Sequence, residues 1–354
     1  MDKLLNNEKY LQDIEYVALN NLIDWNQLKD KKILVSGSTG MIGKFFVDVI
    51  MNKNIKEGMN CTIIALGRNP KKAESRFKEY LSNEKFIFKK QDINEKFDLN
   101  IEKIDYIIHG ASNTHPLQYS SDPIGTITSN VIGTYNLLDL ASKHDVDKFL
   151  FMSSVEIYGE NRGDTEKFSE EYCGYIDCNT LRAGYPESKR TGEALCQAFC
   201  EQKNLNCVIA RLPRIFGPTM QMDDSKAIAQ FLKNAINSQD IILKSEGNQY
   251  YSFGYVADVV LALLCLITKG ENKNAYNIAA DDFNITLKEL AEKIAKISGN
   301  EVIFNIPNIE ESKGYSKATK AILSSEKINN LGWNIKYGID KRLEETIEIL
   351  KKIT

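Results

Sequence analysis

Two residues four apart, Tyr185 and Lys189 in Tyr185-Pro186-Glu187-Ser188-Lys189, are the first candidates for chemistry in this chain. On a helix that spacing sets a phenol and an ammonium one turn apart on the same face. A neighbouring cation favours the phenolate and lowers the phenol's pKa, so that it can take a proton from a substrate hydroxyl. The spacing alone is weak evidence: Tyr337 and Lys341 repeat it with no companion motif, and that pair reads as chance. Tyr185 is distinguished by an upstream loop, Ser153-Ser154-Val155-Glu156-Ile157-Tyr158-Gly159, directly after the apolar run KFLFM (148–152). Ser154 is placed to hydrogen-bond the hydroxyl that reacts, and Glu156 to act beside it as an acid or base.

A third motif supplies a site for an oxidant. Gly37-Ser38-Thr39-Gly40-Met41-Ile42-Gly43 follows the run KILVS (32–36) and opens an apolar helical stretch. In that context the first glycine permits a tight turn, the second lets backbone amides approach a pyrophosphate, and the third lets the helix pack on the strand. The expected ligand is a dinucleotide. The next strand, TIIAL (62–66), ends in Gly67 and Arg68, where an acid usually binds the adenosine ribose. NAD+ is the expected cofactor, and NADP+ stays open, with Arg68 meeting a 2′-phosphate, stacking on adenine or standing solvated in its turn. Asp92 and Ile93, after the run FIFK (86–89), are placed against adenine.

The elements that must position these groups are legible as a rhythm. Short apolar runs at 32–36, 62–66, 86–89, 106–109, 148–152 and 207–210 alternate with helical patterns at 42–51, 71–81, 124–142 and 187–202. This predicts an α/β fold, a Rossmann-type doubly wound parallel sheet, with a smaller mixed C-terminal lobe. The expected divisions are an amphipathic extension over 1–30, a dinucleotide domain over 31–212 that 250–270 rejoin, and a substrate lobe from 213–249 and 271–354. A doubly wound sheet opens at the carboxyl ends of its strands, so Gly37, Ser154 and Tyr185 should share one crevice.

Composition narrows the partners. The 354 residues are 43% hydrophobic and 26% charged, the balance of an ordinary globular protein. A formal charge of -3 gives no electrostatic reason to expect nucleic acid. Seven scattered cysteines without a CxxC pair, beside three histidines, argue against a metal site or disulfide framework and for a reducing cytoplasm. The extension lacks the pattern of a signal peptide, and the longest apolar run, VVLALLCLI (259–267), is too short to cross a bilayer, so no membrane partner is expected.

Taken together the motifs resemble the extended short-chain dehydrogenase/reductases that act on nucleotide sugars, the NAD-dependent epimerase/dehydratase family. The resemblance spans residues 31–350. It rests on GSTGMIG (37–43), His109-Gly110-Ala111-Ser112, Asp122-Pro123, Asn130 in SNVIGTYNLL, SSVEIYG (153–159), YPESK (185–189), RLPRIFGP (211–218), YVADVV (255–260) and LGW (331–333). It implies bound NAD(P), a nucleotide-diphosphate sugar as substrate, and oxidation of the sugar at C4 by Tyr185, Lys189 and Ser154. It further implies that Lys189 holds the nicotinamide ribose and that Gly110, Ala111, Ser112 and Asn130 line the cofactor, Ser112 also touching substrate. A homodimer through helices near 122–144 and 186–203 follows from the same likeness.

Departures from the family pattern bear on the reaction. Val155 stands where the 4,6-dehydratases have their acid, while Glu156 is kept. Ser154-x-Glu156 and YPESKR resemble the uronate decarboxylases, yet Tyr251 stands where they and most relatives have an anion-binding Arg, and Arg214 where relatives have Asn. The expectation is that Arg214, with Lys226, takes over the diphosphate, and Tyr251 lines the substrate site. The function expected is a nucleotide-sugar epimerase or dehydratase of surface-polysaccharide biosynthesis. A UDP-glucuronate-type decarboxylase is the alternative. A non-catalytic NAD(P)-binding scaffold is the alternative of another class, and the intact Ser154, Tyr185 and Lys189 stand against it. His115 reads as polar surface more than as a site residue, Cys196 and Cys200 as packing, and Glu292–Lys296 as a solvated helix face.

Overall fold

The computed structural model describes residues 3–97, 99, 101–113, 119, 121–306 and 318–354. His115 lies outside the described residues. The six apolar runs form β1 (Lys32–Ser36), β2 (Thr62–Gly67), β3 (Phe86–Lys90), β4 (Tyr106–His109), β5 (Lys148–Ser154) and β6 (Cys207–Leu212). After β7 (Arg214–Phe216), β8 (Ile241–Leu243) and β9 (Tyr250–Tyr255) comes β10 (Asn274–Asn277), which completes one seven-stranded sheet in the order β10-β6-β5-β4-β1-β2-β3. Every neighbouring pair in this sheet is parallel. The polar stretch NAYN carries no strand signal of its own. It becomes β10 because β6 offers an open edge, and it comes from the stretch expected to form the substrate lobe.

Parallel strands are covered on both faces, and their side chains alternate between two cores. Ile33, Val35, Ile63, Ala65, Ile108, Leu150 and Met152 share one core, which also holds Phe45, Phe46 and the apolar face of Val256–Lys269. Leu34, Ile64, Leu66, Ile107, Phe149 and Phe151 share the other, beneath Leu137, Leu138, Cys196 and Cys200. The four expected helices run over Met41–Glu57, Pro70–Phe77, Pro123–His144 and Gly184–Lys203. The second stops short of its expected end in a 3-10 turn, Lys78–Tyr80. The third starts at the Asp122 cap with proline in its first turn and stops at Asp145 in the left-handed conformation.

The smaller sheets lie beyond β6. β9 pairs with β7, with β11 (Asn284–Thr286) and with β13 (Lys320–Ala321), and β12 (Val302–Phe304) pairs with β8. The N-terminal segment is part of the core. Helix Glu8–Ala18 buries Tyr10, Ile14 and Val17. Its Tyr10 hydroxyl donates to Asp48 of Met41–Glu57, and its Asp13 accepts from Arg342 of helix Ile339–Ile353 at 2.7 Å. Among the described residues no helix is long and apolar enough to cross a membrane.

Strand order reverses between β1 and β4, the point at which folds of this kind bind ligands. Gly37, just past β1, has φ +71°, and a Cβ on it would sit 2.7 Å from the Gly110 carbonyl carbon and oxygen. Gly37→Ala therefore combines backbone strain with a clash against main chain. It should cost about 1–3 kcal/mol, read as a lower urea midpoint than that of the unsubstituted protein; an unchanged midpoint would contradict the close approach.

Candidate active site

The glycine loop turns from β1 into Met41–Glu57 with no side chain capping the helix, which leaves its first-turn amides for a ligand. A Cβ at Gly43 would lie 2.5 Å from the Gly37 carbonyl oxygen, so the third glycine is needed for the turn itself. Ser38 is buried and donates to the Leu66 carbonyl at 2.9 Å, fastening the loop to β2. Thr39 and Met41 face a later segment, Gln221 donating to the Thr39 carbonyl at 3.3 Å and Thr219 to that of Met41 at 2.9 Å, while Arg76 Nη2 lies 3.5 Å from the Gly40 carbonyl oxygen. Ile42 is half-buried against the core. This cradle fits a pyrophosphate, and the residues at the adenosine end follow the same geometry. Arg68 Nη1 lies 3.9 Å from Asp92 Oδ2, and Ile93 is buried at the position where Gly133 approaches it closely.

A chain of hydrogen bonds runs beneath the crevice. Ser36 Oγ meets His109 Nδ1 at 2.8 Å, and His109 Nε2 meets Thr134 Oγ1 at 2.9 Å. Thr134 donates onward to the Asn130 carbonyl, so its oxygen accepts from Nε2–H and the ring takes the Ser36 proton on Nδ1. Burial pushes the His109 pKa well below its ordinary value, which keeps the ring neutral in this role. Asn130 accepts from Ser112 at 2.8 Å and donates to Ser188 at 2.9 Å, and Ser188 donates to the Tyr185 carbonyl at 2.8 Å. Gly110 and Ala111 are held at the same strand end, their amides directed to Ser36. Ser112 and Asn130 thus join β4, Pro123–His144 and the start of Gly184–Lys203.

Tyr185 is the second residue of Gly184–Lys203, and it is buried. Burial raises its pKa, the Glu156 charge pushes the same way, and a hydrogen bond from Ser154 and the charge of Arg182 pull down. Lys189 is not among the groups that lower it. Desolvation dominates at Tyr185, and the Lys189 ammonium donates to the Met152 carbonyl at 2.9 Å. Ser154 caps the turn Val155–Tyr158, accepting from the Glu156 amide at 3.2 Å. Arg190 holds this loop from below, donating to the carbonyls of Ile157 and Gly174, each at 2.7 Å.

Two side chains near Glu156 carry no motif signal of their own. Arg182 Nη2 donates to both Glu156 oxygens at 2.7 and 2.5 Å, and its guanidinium lies 4.8 Å from the Tyr119 ring centre. Tyr119 stacks on Tyr185, ring centres 4.8 Å apart. The clue available in the sequence was a cation one turn before Tyr185; nothing marked Tyr119 or the anchoring role of Arg190. Arg214 lays its guanidinium carbon 3.4 Å from the Tyr251 ring centre, and Tyr251 donates from its hydroxyl to the Ala318 carbonyl at 2.6 Å. Arg214 as a residue is partly exposed, but its Nη1 is sealed from water with no partner. Lys226 pairs with Asp224 at 3.3 Å.

The sequence model described as the NAD dependent epimerase/dehydratase family matches residues 33–279. The chain belongs to that family. It is 28% identical over 327 residues to UDP-glucuronic acid decarboxylase 1 of Xenopus tropicalis, covering 91% of this chain and 72% of the relative. To UDP-glucuronic acid decarboxylase 6 of Arabidopsis thaliana it is 29% identical over 305 residues, 86% of this chain and 84% of the relative. The dTDP-glucose 4,6-dehydratase of Streptomyces venezuelae, solved with NAD, superposes with a TM-score of 0.76 at 21% identity over 90% of this chain and 96% of its own. The UDP-glucuronic acid 4-epimerase of Bacillus cereus, solved with UDP-glucuronic acid and NAD, gives 0.75 at 20% identity over 91% and 100%. At these identities the solved structures establish the fold.

Within this epimerase/dehydratase fold Lys189 is the most strongly confined cation of the crevice. Burial pushes its ammonium down from 10.5 to about 8, with Glu193 and Cys196 pulling upward. A lysine whose folded pKa lies below its unfolded value holds fewer protons when folded, so its cost to stability is full below pH 8 and fades toward 10.5. Lys189→Met should therefore stabilise the ligand-free protein at pH 7 by about 1–3 kcal/mol, with the gain shrinking as pH rises past 8. Urea unfolding across this range measures it; a gain that grows with pH would reverse the assignment.

Proposed function

We propose that this protein is an NAD(P)-dependent nucleotide-sugar enzyme that works through transient oxidation of the sugar at C4, as an epimerase or dehydratase. The observation that carries the reading is the meeting of Ser154, Tyr185 and Lys189 at the strand ends beside the Gly37–Gly43 cradle. Bound NAD(P)+ would supply the hydride acceptor. Ser154 orients the C4 hydroxyl, Tyr185 takes its proton, and Lys189 holds the nicotinamide ribose. Glu156 then moves a second proton at a carbon acidified by the C4 ketone. Val155, apolar and buried, leaves no acid beside Glu156 to expel a C6 hydroxyl, which favours proton transfer over 4,6-elimination.

Arg214 holds the diphosphate in this reading, its guanidinium fixed flat on Tyr251 and one nitrogen unpartnered. The two departures from the family pattern thus act together: the residue at 251 gives up a cation and becomes the platform for one at 214. The same reading places the protein in the cytoplasm, in surface-polysaccharide sugar synthesis. It also makes the protein a homodimer through the exposed Ile124, Ile132 and Tyr135 of Pro123–His144.

Decarboxylation of a nucleotide uronate is the second reading, and a specific observation favours it. Arg182 Nε and Nη1, like Arg214 Nη1, are enclosed without partners around the single carboxylate of Glu156. Two guanidiniums against one carboxylate leave the sugar end positive, and an unpaired buried charge is costly unless an anion arrives. A sugar carboxylate is such an anion, and the names of the curated relatives point the same way.

Incubation with UDP-, dTDP-, GDP- and CDP-sugars in deuterated water separates these outcomes. Deuterium at C5 or C3 without loss of carbon supports epimerisation, carbon dioxide from a uronate supports the second reading, and turnover of none supports a binding protein. Tyr185→Phe should lower kcat by about 100-fold or more, and full activity in that variant would overturn the C4 mechanism. Arg214→Ala should raise KM for the nucleotide sugar by about tenfold or more with a smaller effect on kcat. An unchanged KM would remove Arg214 from the diphosphate.

A further inference from the structure

We propose that the adenosine end of the cradle is built to accept a 2′-phosphate, so that this protein binds NADP+ at least as tightly as NAD+. The inference rests on the dinucleotide reading above and adds the choice of dinucleotide. Selection of NAD+ in such folds uses an acid at the end of the second strand, which binds the ribose hydroxyls and repels a phosphate. Here β2 ends in Gly67, and the only carboxylate recorded near the next residue, Arg68, is Asp92 at 3.9 Å, too long for a hydrogen bond. The Arg68 side chain is largely exposed, at 64%, and its ion pair with Asp92 is long enough to yield to a phosphate. The tip of β2 lies against the glycine loop, since a Cβ on Gly67 would be 3.8 Å from Thr39 Cγ2.

The helix that follows strengthens the field. Between Thr62 and Phe77 the chain carries Arg68, Lys71, Lys72 and Arg76 against a single acid, Glu74. Helix Pro70–Phe77 leans over the back of the loop: Arg76 donates to the Thr219 carbonyl at 2.8 Å, and Lys72 Nζ to the amide oxygen of Gln221 at 2.5 Å. Gln221 in turn bonds the Thr39 carbonyl. Lys72 is thus a partly desolvated cation, one hydrogen-bonded residue from the loop, whose recorded partner is neutral. Loss of water pushes its pKa down most, the Asp223 charge opposes this, and the Arg76 charge adds to the lowering. Cations so placed gain most from a dianion, and a guanidinium binds phosphate through paired donors.

The test is a binding titration of the whole protein, stripped of any dinucleotide carried through purification, with NAD+ and NADP+ separately, followed by calorimetry or tryptophan fluorescence. The expected result is a Kd for NADP+ equal to or below that for NAD+. Arg68→Ala should weaken NADP+ by about tenfold and NAD+ by less than about threefold. Lys72→Met should produce a smaller loss in the same direction. Arg68 is exposed, so its variant should unfold at the unsubstituted midpoint, and a thermal melt checks this. NADP+ binding about tenfold weaker than NAD+, or equal losses of both ligands in Arg68→Ala, overturns the proposal. Binding of neither dinucleotide removes the dinucleotide reading itself, a different failure from a preference for NAD+.

Discussion

The architecture depends on one close approach. Gly37 and Gly110 leave the ends of β1 and β4 so near each other that no side chain fits between them, and this is where strand order reverses. Successive elements diverge from that point to the two faces of the sheet, and the divergence opens the crevice. The first-turn amides of Met41–Glu57, the Ser154 turn and Tyr185 all face it because each follows the carboxyl end of a strand or packs on one. The hydrogen-bonded run from Ser36 through His109, Asn130 and Ser188 to Tyr185 keeps the two halves in register.

Electrostatics in the crevice is dominated by desolvation. Burial makes Tyr185 a weaker acid and Lys189 a weaker base than either is in water. Around Glu156 the balance tips the other way, since Arg182 and Arg214 both surround it and retain enclosed donors without partners. A ligand bearing negative charge would complete this arrangement, which fits a chain whose net charge is only -3 and whose surface is not basic overall.

Much of this was legible in the residues. KILVS before three spaced glycines, and KFLFM before Ser154, predicted strands, and both form strands of one parallel sheet whose carboxyl ends lie at the same edge. Helix boundaries moved by a few residues where caps and glycines decide them, as at Gly58, which carries Met41–Glu57 past its expected end at Met51. NAYN could not be read as a strand, because its pairing partner, β6, is over sixty residues away in the chain. The amphipathic pattern of the first segment showed a helix. Its buried link through Asp13 to Arg342 joins opposite ends of the chain, which no local pattern reports.

The sequence by itself determined the fold class and the glycine turn, and it set Ser154 at a strand end and Tyr185 and Lys189 one helical turn apart, because these follow from local spacing: a period of two in strands, a turn of helix, glycines where backbone must approach backbone. Tertiary structure alone decided the charge environment. That Arg182 grips Glu156, that Tyr119 stacks on Tyr185, that Arg214 lies on Tyr251 while Lys226 pairs with Asp224, and that burial raises the Tyr185 pKa are consequences of distance and desolvation. Both depend on which segments pack together in space, and residues far apart in the chain carry no local sign of it.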